Sequence, residues 1–510
     1  MPYTVGISSG MFGVAQQNEK LEYLTILRKV AYGATKGVNF TQLDLESINE
    51  FIEPWITESV ASIKSLGLTF GIHGESAAMT GIHTLPLDSA IENDYIRSHR
   101  RLMEHLEGGA KIGAKYVLLH ASESTPIIML EREWQPARLV DIWGRSLDIF
   151  LKERPKIVDW LLKDCTRMKQ FVSQHLHDSE YWEREFIRDF HEKQGKAPGE
   201  EDIKKIKQDA WKTYTKSFFN FVVSNQTGYG YELIAYYAIA KWMEMENDSL
   251  WLNIVGKKKF DEVITRDEMW VPAVTTKYIW GHFNPIADSK LEDPKPILAR
   301  SKMYFLLETE MAKGGYEGYM RLAKPVHMYH LAVASGTPWF GLAIDFEHLL
   351  SCNLDPKKEI EALPQGAGKF VRVCHLGWPT PHIPAHIPIP LGSDAQLWIY
   401  DVLCDLRKKG FMDGILVFER AGLPIEESIL SIRKIAEYLD KDIPPSKLPE
   451  DFFGLKPLGA EIKMQQVRIR EHALDPLKGM LSIQEEEYTF LSEAALKKGK
   501  AELWKKEQYK

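Results

Sequence analysis

Eight short apolar runs, most closing on a polar residue and followed by a stretch of helical periodicity, constrain this chain more than any other feature. They are TVGISS (4–9), VNFTQLDLE (38–46), LTFGIHGE (68–75), KYVLLH (115–120), KMYFLLE (302–308), GLAID (341–345), FVRVCH (370–375) and GILVFE (414–419). Runs this short, apolar on both faces and separated by helices, belong in a parallel sheet that is covered on both sides. Amphipathic stretches over 19–32, 47–66 and 88–112 supply the first intervening helices. The pattern predicts an α/β fold, a (β/α)8 TIM barrel, rather than an open doubly wound sheet. No glycine-rich phosphate loop follows the first run, which weighs further against a dinucleotide-binding sheet.

The rhythm breaks once. Residues 1–124 hold the first half of the barrel, 125–300 an insertion after strand four, 301–453 the second half, and 454–510 a charged, helical tail. The insertion is too long for a loop and must carry its own structure. Its segments 146–193, 200–223 and 230–248 read as helices rich in Trp, Tyr and Phe. Residues 126–300 contain 27 basic and 28 acidic side chains, so the insertion is no basic arm. It leaves after the fourth run and returns before the fifth, and both of its ends are therefore expected at the barrel mouth. A helical mass tethered there is expected to roof the mouth as a lid and to admit only a small or slender substrate.

Charge and cysteine usage narrow the class. The 510 residues carry 71 acidic and 64 basic side chains, a net of −7. Bulk charge of that sign does not draw a protein to nucleic acid or to anionic membrane, so neither duplex nucleic acid nor membrane is an expected partner. Cys165, Cys352, Cys374 and Cys404 are scattered and form no CxxC pair, which excludes a disulfide framework and a cysteine zinc knuckle. Alternation points Cys374 away from the barrel mouth. The N-terminus lacks a signal-peptide pattern, and no apolar run approaches the ~20 residues of a membrane span. A cytoplasmic enzyme is expected.

The residues that close the runs carry the chemistry. From the third run to the eighth they are His73, His120, Glu308, Asp345, His375 and Glu419, with His348 one helical turn beyond Asp345. In a barrel the C-terminal strand ends converge on one mouth. Imidazoles and carboxylates there can hold a divalent cation, and a carboxylate can bridge two. A lone His at a strand end is more often a hydrogen-bonded structural group, and a lone Glu can pair with a Lys or cap a helix. Six consecutive strands ending this way is a different matter, because buried charge is costly unless paired or metal-bound.

The motifs GIHGES (His73), VLLHAS (His120), FLLETE (Glu308), IDFEH (Asp345 and His348), VCHLG (His375) and LVFER (Glu419) resemble the xylose-isomerase-like TIM barrels that include endonuclease IV. The resemblance covers residues 3–124 and 301–440. It implies a two-ion centre, of zinc or manganese, in which Glu308 bridges. His73 and His120 complete one site; Asp345, His375 and Glu419 complete the other. Where the endonuclease has Asp-Arg-His, this chain reads Pro384-Ala385-His386: His386 is retained and is implied, with His348, as a further metal ligand, whereas Pro384 cannot bind metal. His382, in the same proline-rich loop, is the second choice for that position. The resemblance implies a hydrolase that sends activated hydroxide at a phosphoester or related bond, with Glu308, Glu419 and His348 as catalytic residues.

Glu308, Asp345, His375 and Glu419 alone resemble the single metal site of sugar and sugar-phosphate isomerases and epimerases. That chemistry moves a proton next to a carbonyl, with the two Glu groups as acid and base. The discriminator is the extra set His73, His120, His348 and His386, which a multinuclear hydrolase needs and an isomerase does not. A third reading, a barrel that has lost catalysis and binds a protein partner through the insertion, conflicts with so complete a ligand set.

Overall fold

A computed structural model describes residues 2–9, 25–45, 47–74, 85–120, 122, 138–223, 232–310, 321–380, 383–419 and 425–454. Its centre is a closed barrel of parallel strands: β1 (Tyr3–Ser8), β2 (Phe40–Asp44), β3 (Thr69–His73), β4 (Tyr116–Leu119), β5 (Tyr304–Glu308), β6 (Phe340–Asp345) and β7 (Val371–Leu376). Between β7 and the last barrel strand come β8 (Trp378–Thr380) and β9 (Ile383–Ile387), an antiparallel ribbon in the stretch read above as a proline-rich loop. The final strand, β10 (Gly414–Phe418), pairs with both β7 and β1 and closes the barrel. The eight barrel strands are those expected from the apolar runs.

Alternation along each strand sorts the side chains into two sets. Phe40, Leu118, Leu306, Ala343, Val373 and Val417 pack together inside the barrel. Phe305, Leu307, Ile344, Cys374, Leu416 and Phe418 face the surrounding helices, so Cys374 does point away from the mouth. A step of two residues keeps a side chain on the same face. The residues two beyond the inner set are therefore inner too, one layer higher: Gln42, His120, Glu308, Asp345, His375 and Glu419. On β3 the lower position is Gly71, where a Cβ would lie 2.3 Å from the Tyr116 ring. The missing side chain on β3 makes room for that ring in the barrel interior.

The insertion corrects one expectation. All strands of a parallel barrel start at the same end, so the chain must re-enter β5 at the end opposite the mouth. Tyr304 N–H donates to Lys115 O at 3.1 Å there, at the start of β4 and β5. Only the departure lies at the mouth. The described part of the insertion has its own apolar core, in which Trp251, Trp270, Tyr236 and Tyr278 are fully buried. Its helix Asp267–Phe283 lies against the barrel wall: Phe283 packs edge to face on outward-facing Phe340, with centroids 4.9 Å apart, and Trp280 Nε1–H donates to Ala334 O at 2.9 Å. Ala334 ends the helix after β5, and the helix Glu92–Ile112 before β4 meets the insertion through His99. Asp267–Phe283 thus takes the place of the barrel's own fourth helix. On the mouth side, Tyr236 Oη–H donates to Asp88 O at 2.6 Å, and Asp88 is paired with buried Arg321 at 3.2 Å. The tail beyond residue 454 lies outside the described residues. Among the described residues no helix is long and apolar enough to cross a membrane.

A chain of hydrogen bonds joins insertion to barrel. Glu292 N–H donates to His99 Nε2 at 3.0 Å, the two Nδ1 atoms of His99 and His282 are 3.0 Å apart, and His282 Nε2 lies 2.9 Å from Leu87 O. These partners assign one proton to each ring: His99 Nδ1–H donates to His282, and His282 Nε2–H donates to Leu87 O. A second proton on either ring would set two N–H groups against each other. Burial pulls His282 well below the usual histidine range and His99 down to about 4. A depressed histidine is protonated first in the unfolded chain, so stability is full above the ordinary value of ~6.5 and falls as pH drops toward 4. Each such group contributes a slope of about 1.4 kcal/mol per pH unit in that window. The expected result is that His99→Gln reduces the acid sensitivity of urea unfolding between pH 6.5 and 4.5. A wild-type-minus-variant difference that stays flat with pH would refute the linkage.

Candidate metal centre

Six strand-end residues meet above the barrel interior. Glu308, fully buried, lies between two groups of side chains. Its Oε1 is 2.7 Å from His375 Nδ1, while its Oε2 is 3.2 Å from His73 Nε2 and 3.3 Å from His120 Nε2. Around His375 Nδ1 stand two further carboxylates, Glu419 Oε1 at 3.3 Å and Asp345 Oδ2 at 3.6 Å. The first group is His73, His120 and Glu308; the second is Glu308, Asp345, His375 and Glu419; within each, the ligand atoms all lie within 4.8 Å of one another. Strand register sets part of this. A shift between Leu342 and Ala343, where β7 contributes the extra residue Arg372, brings Asp345 level with His375. Asp345 also caps the helix Phe346–Ser351, its Oδ1 accepting from His348 N–H at 2.9 Å.

The hydrogen bonds assign the imidazole tautomers, and the tautomers test whether a cation fits. His73 Nδ1 is 2.9 Å from Gly74 O, so the ring's N–H is spent there and an Nε2 lone pair faces Glu308. His375 Nε2 is 2.9 Å from Gln42 Oε1, an oxygen that also accepts from Tyr116 Oη–H at 2.8 Å. That turns an Nδ1 lone pair toward three carboxylates. Lone pairs aimed at carboxylate oxygens repel unless a proton or a cation lies between them. Among the described residues Glu308 Oε2 is moreover buried without a hydrogen-bond partner. The separations of 3.2 and 3.3 Å match the edge of a tetrahedron with ligand bonds of about 2.0–2.1 Å. The residues fit a divalent cation.

Without metal, protons must fill that role. Burial pulls the His120 imidazole down, but the Glu308 charge and the Glu310 carboxylate more than reverse this and hold it at about 9. His73 is raised by Glu308 against the same burial, and His375 well above the usual range by Glu308 and Glu419. Conversely, His375 and His120 hold Glu308 well below the usual carboxylate range despite its burial, and His348 with His375 holds Asp345 at about 2. Metal and protons compete for the same lone pairs.

His348 stands beside both groups without completing either. Its Nδ1 lies 2.8 Å from Thr309 O and its Nε2 3.7 Å from Asp345 Oδ2. His386 lies on β9 with its side chain outside the described residues, as is all of His382. Gln42 and Glu310 are additional polar neighbours of the centre. Gln42 had a signal in the sequence, a polar residue inside an apolar run and in step with Asp44. Glu310 had none, since it sits past the end of its run.

No protein-family model matches the chain, and no curated protein matches it. It is similar to solved structures. A D-tagatose 3-epimerase-like protein shares 12% identity over 86% of this chain and 98% of that one, with a TM-score of 0.40. Endonuclease IV from Thermus thermophilus shares 12% over 86% and 99%, with a TM-score of 0.35. The IOLI protein, solved with a binding zinc atom, shares 11% over 86% and 98%, also at 0.35. The likeness is one of fold, that of a closed barrel of eight parallel strands.

Because Glu308 contributes one oxygen to each group, Glu308→Gln should weaken both together, whereas His73→Ala should weaken only the first. Elemental analysis of purified variants checks this. Full metal content in Glu308→Gln would remove the shared role.

Proposed function

We propose that this chain is a divalent-metal-dependent enzyme whose two ligand groups hold two ions, zinc or manganese, with Glu308 between them, and that it hydrolyses a phosphoester or related bond. The observation that carries this reading is the division of Glu308, one oxygen to His375 and the other, buried and unpartnered, to His73 and His120. Ions held there would supply Lewis-acid polarisation of substrate oxygens and activation of water. The chain's own residues do the rest. His348, its Nδ1–H held by Thr309 O, presents Nε2 for a substrate oxygen or a proton. Glu419 and His120 are the least buried of the six strand-end groups, which supports giving Glu419 the proton exchange with the departing group.

A second reading has support at least as good. The second group is a complete four-ligand site without His73 and His120, and three carboxylates around one imidazole suit a single hard cation. With one ion, Glu308 and Glu419 become the acid and base of a sugar or sugar-phosphate isomerase or epimerase. Ion count separates the two: two tightly held ions favour the hydrolase, and one exchangeable ion with turnover of ketoses favours the isomerase.

A small or slender substrate remains part of the proposal, supported by the charge balance of the insertion and the net charge of −7. Duplex DNA with abasic sites is therefore expected to stay intact at low salt with zinc or manganese supplied. Nicking that requires metal and disappears in Glu308→Gln would overturn that restriction. His375→Ala should abolish turnover, and His386→Ala should reduce it less, since Pro384 removes a carboxylate beside it. Equal, complete loss in both would assign His386 a direct role.

A further inference from the structure

Glu310 is nearly fully buried at the mouth, two residues beyond Glu308, and neither metal group includes it. Its Oε1 accepts from Ser122 N–H at 3.1 Å and from Ser122 Oγ–H at 3.3 Å. That leaves Oε2 facing His120 Nδ1 at 3.6 Å. Among the described residues His120 Nδ1 is buried without a hydrogen-bond partner, and Glu310 Oε2, just beyond hydrogen-bond distance, is the carboxylate oxygen that faces it. On the other side of the ring, His120 Nε2 faces Glu308 Oε2 at 3.3 Å. The backbone beneath is tied down as well: Cys352 Sγ–H donates to Glu310 O at 3.1 Å, and Thr309 Oγ accepts from Asp345 N–H at 2.9 Å.

We propose that Glu310 is a positioning residue, which holds His120 with Nδ1 protonated and Nε2 turned toward Glu308, and so sets the metal affinity of the His73–His120–Glu308 group. The proposal rests on the two-ion reading above. A carboxylate behind a ligating imidazole fixes its tautomer and ring orientation and makes the other nitrogen more basic, and losing such a partner typically lowers metal affinity about 10–100-fold. The centre is then supported unequally. The second group's His375 leans on the neutral Gln42 amide, whereas His120 leans on a charged carboxylate that the β4 exit, through Ser122, holds in place.

The test is zinc binding to the full chain, followed by elemental analysis and chelator competition. Wild type should hold two ions. Glu310→Gln keeps an oxygen for Ser122 but offers His120 an amide, and should weaken one site by about 10–100-fold while the other stays within about threefold. The weakened site should be the one lost in His120→Ala, and adding Glu310→Gln to His120→Ala should change nothing further. Ser122→Ala leaves its N–H on Glu310 and should bind both ions nearly as wild type does. If Glu310→Gln does not fold, as judged by thermal unfolding, Glu310→Asp keeps the charge, retracts it by one methylene and carries the same comparison. Two ions of wild-type affinity in the folded variant would overturn the role of Glu310 and leave the two-ion reading standing. A second loss on top of His120→Ala would show that Glu310 does not act through His120. A wild type that takes up a single ion would overturn the two-ion reading and this role with it.

Discussion

A carboxylate with no exposure to solvent, ringed by four imidazoles, is the interaction on which the mouth of this barrel depends. Glu308 cannot be neutralised by water, and its neighbours His73, His120, His348 and His375 all stand within 3.6 Å of one or other of its oxygens. A charge buried so deeply is tolerated only when opposite charge or hydrogen bonds compensate it. Protons on the imidazoles can do so, and cations can do so better, because lone pairs already point inward. The same constraint explains the surrounding polar shell. Gln42, Gly74 O and Thr309 O each take up a ring nitrogen of one of these imidazoles, and Glu310 Oε2 faces a nitrogen of the fourth at 3.6 Å.

Barrel geometry makes that convergence possible. Strands that tilt and close around an axis bring their C-terminal ends together, and a two-residue repeat keeps every second side chain inside. A one-residue slip in any of the six strands that carry these groups would turn its strand-end side chain out into the helical layer. The Leu118, Leu306, Ala343, Val373 and Val417 layer lies directly beneath and forms a dry floor for the site. Parallel strands also dictate how an insertion can be accommodated. It departs at the mouth, but it must return at the other end, and it does so by lending the wall a helix. The insertion is therefore tied to the barrel by the packing of Phe283, the Trp280 hydrogen bond and the His99–His282 pair. Its contacts with the rim include Tyr236 with Asp88 and the backbone pairing of Ala90 and Glu92 with Val140 and Arg138.

Much of this is legible in the residues alone. Eight apolar runs of strand length, with no room for both helix and strand in any one of them, leave few folds other than a closed parallel barrel. The candidate ligand set is legible for the same reason: His73, His120, Glu308, Asp345, His375 and Glu419 each stand at the end of a run, and strand ends share a mouth by topology. What the residues cannot state is which atoms face one another. That Glu308 splits its oxygens between two groups depends on strand stagger and rotamers, and these follow from packing across the whole barrel. The path of the insertion is misleading in the sequence. Adjacency to two successive strands suggests adjacency to one end of them, whereas parallel strands present opposite ends to an outgoing and an incoming chain.

Local periodicity and the chemistry of single residues, then, determined the strand count, the barrel and the identity of the groups at its mouth, since each follows from a pattern a few residues long. Tertiary structure decided the rest: the tautomers, the division of Glu308, the grip of Glu310 on the β4 exit and the use of an inserted helix as barrel wall. Apart from the His73–Gly74 contact, these join residues tens to hundreds of positions apart, and contacts of that range exist only once the chain has closed around its core.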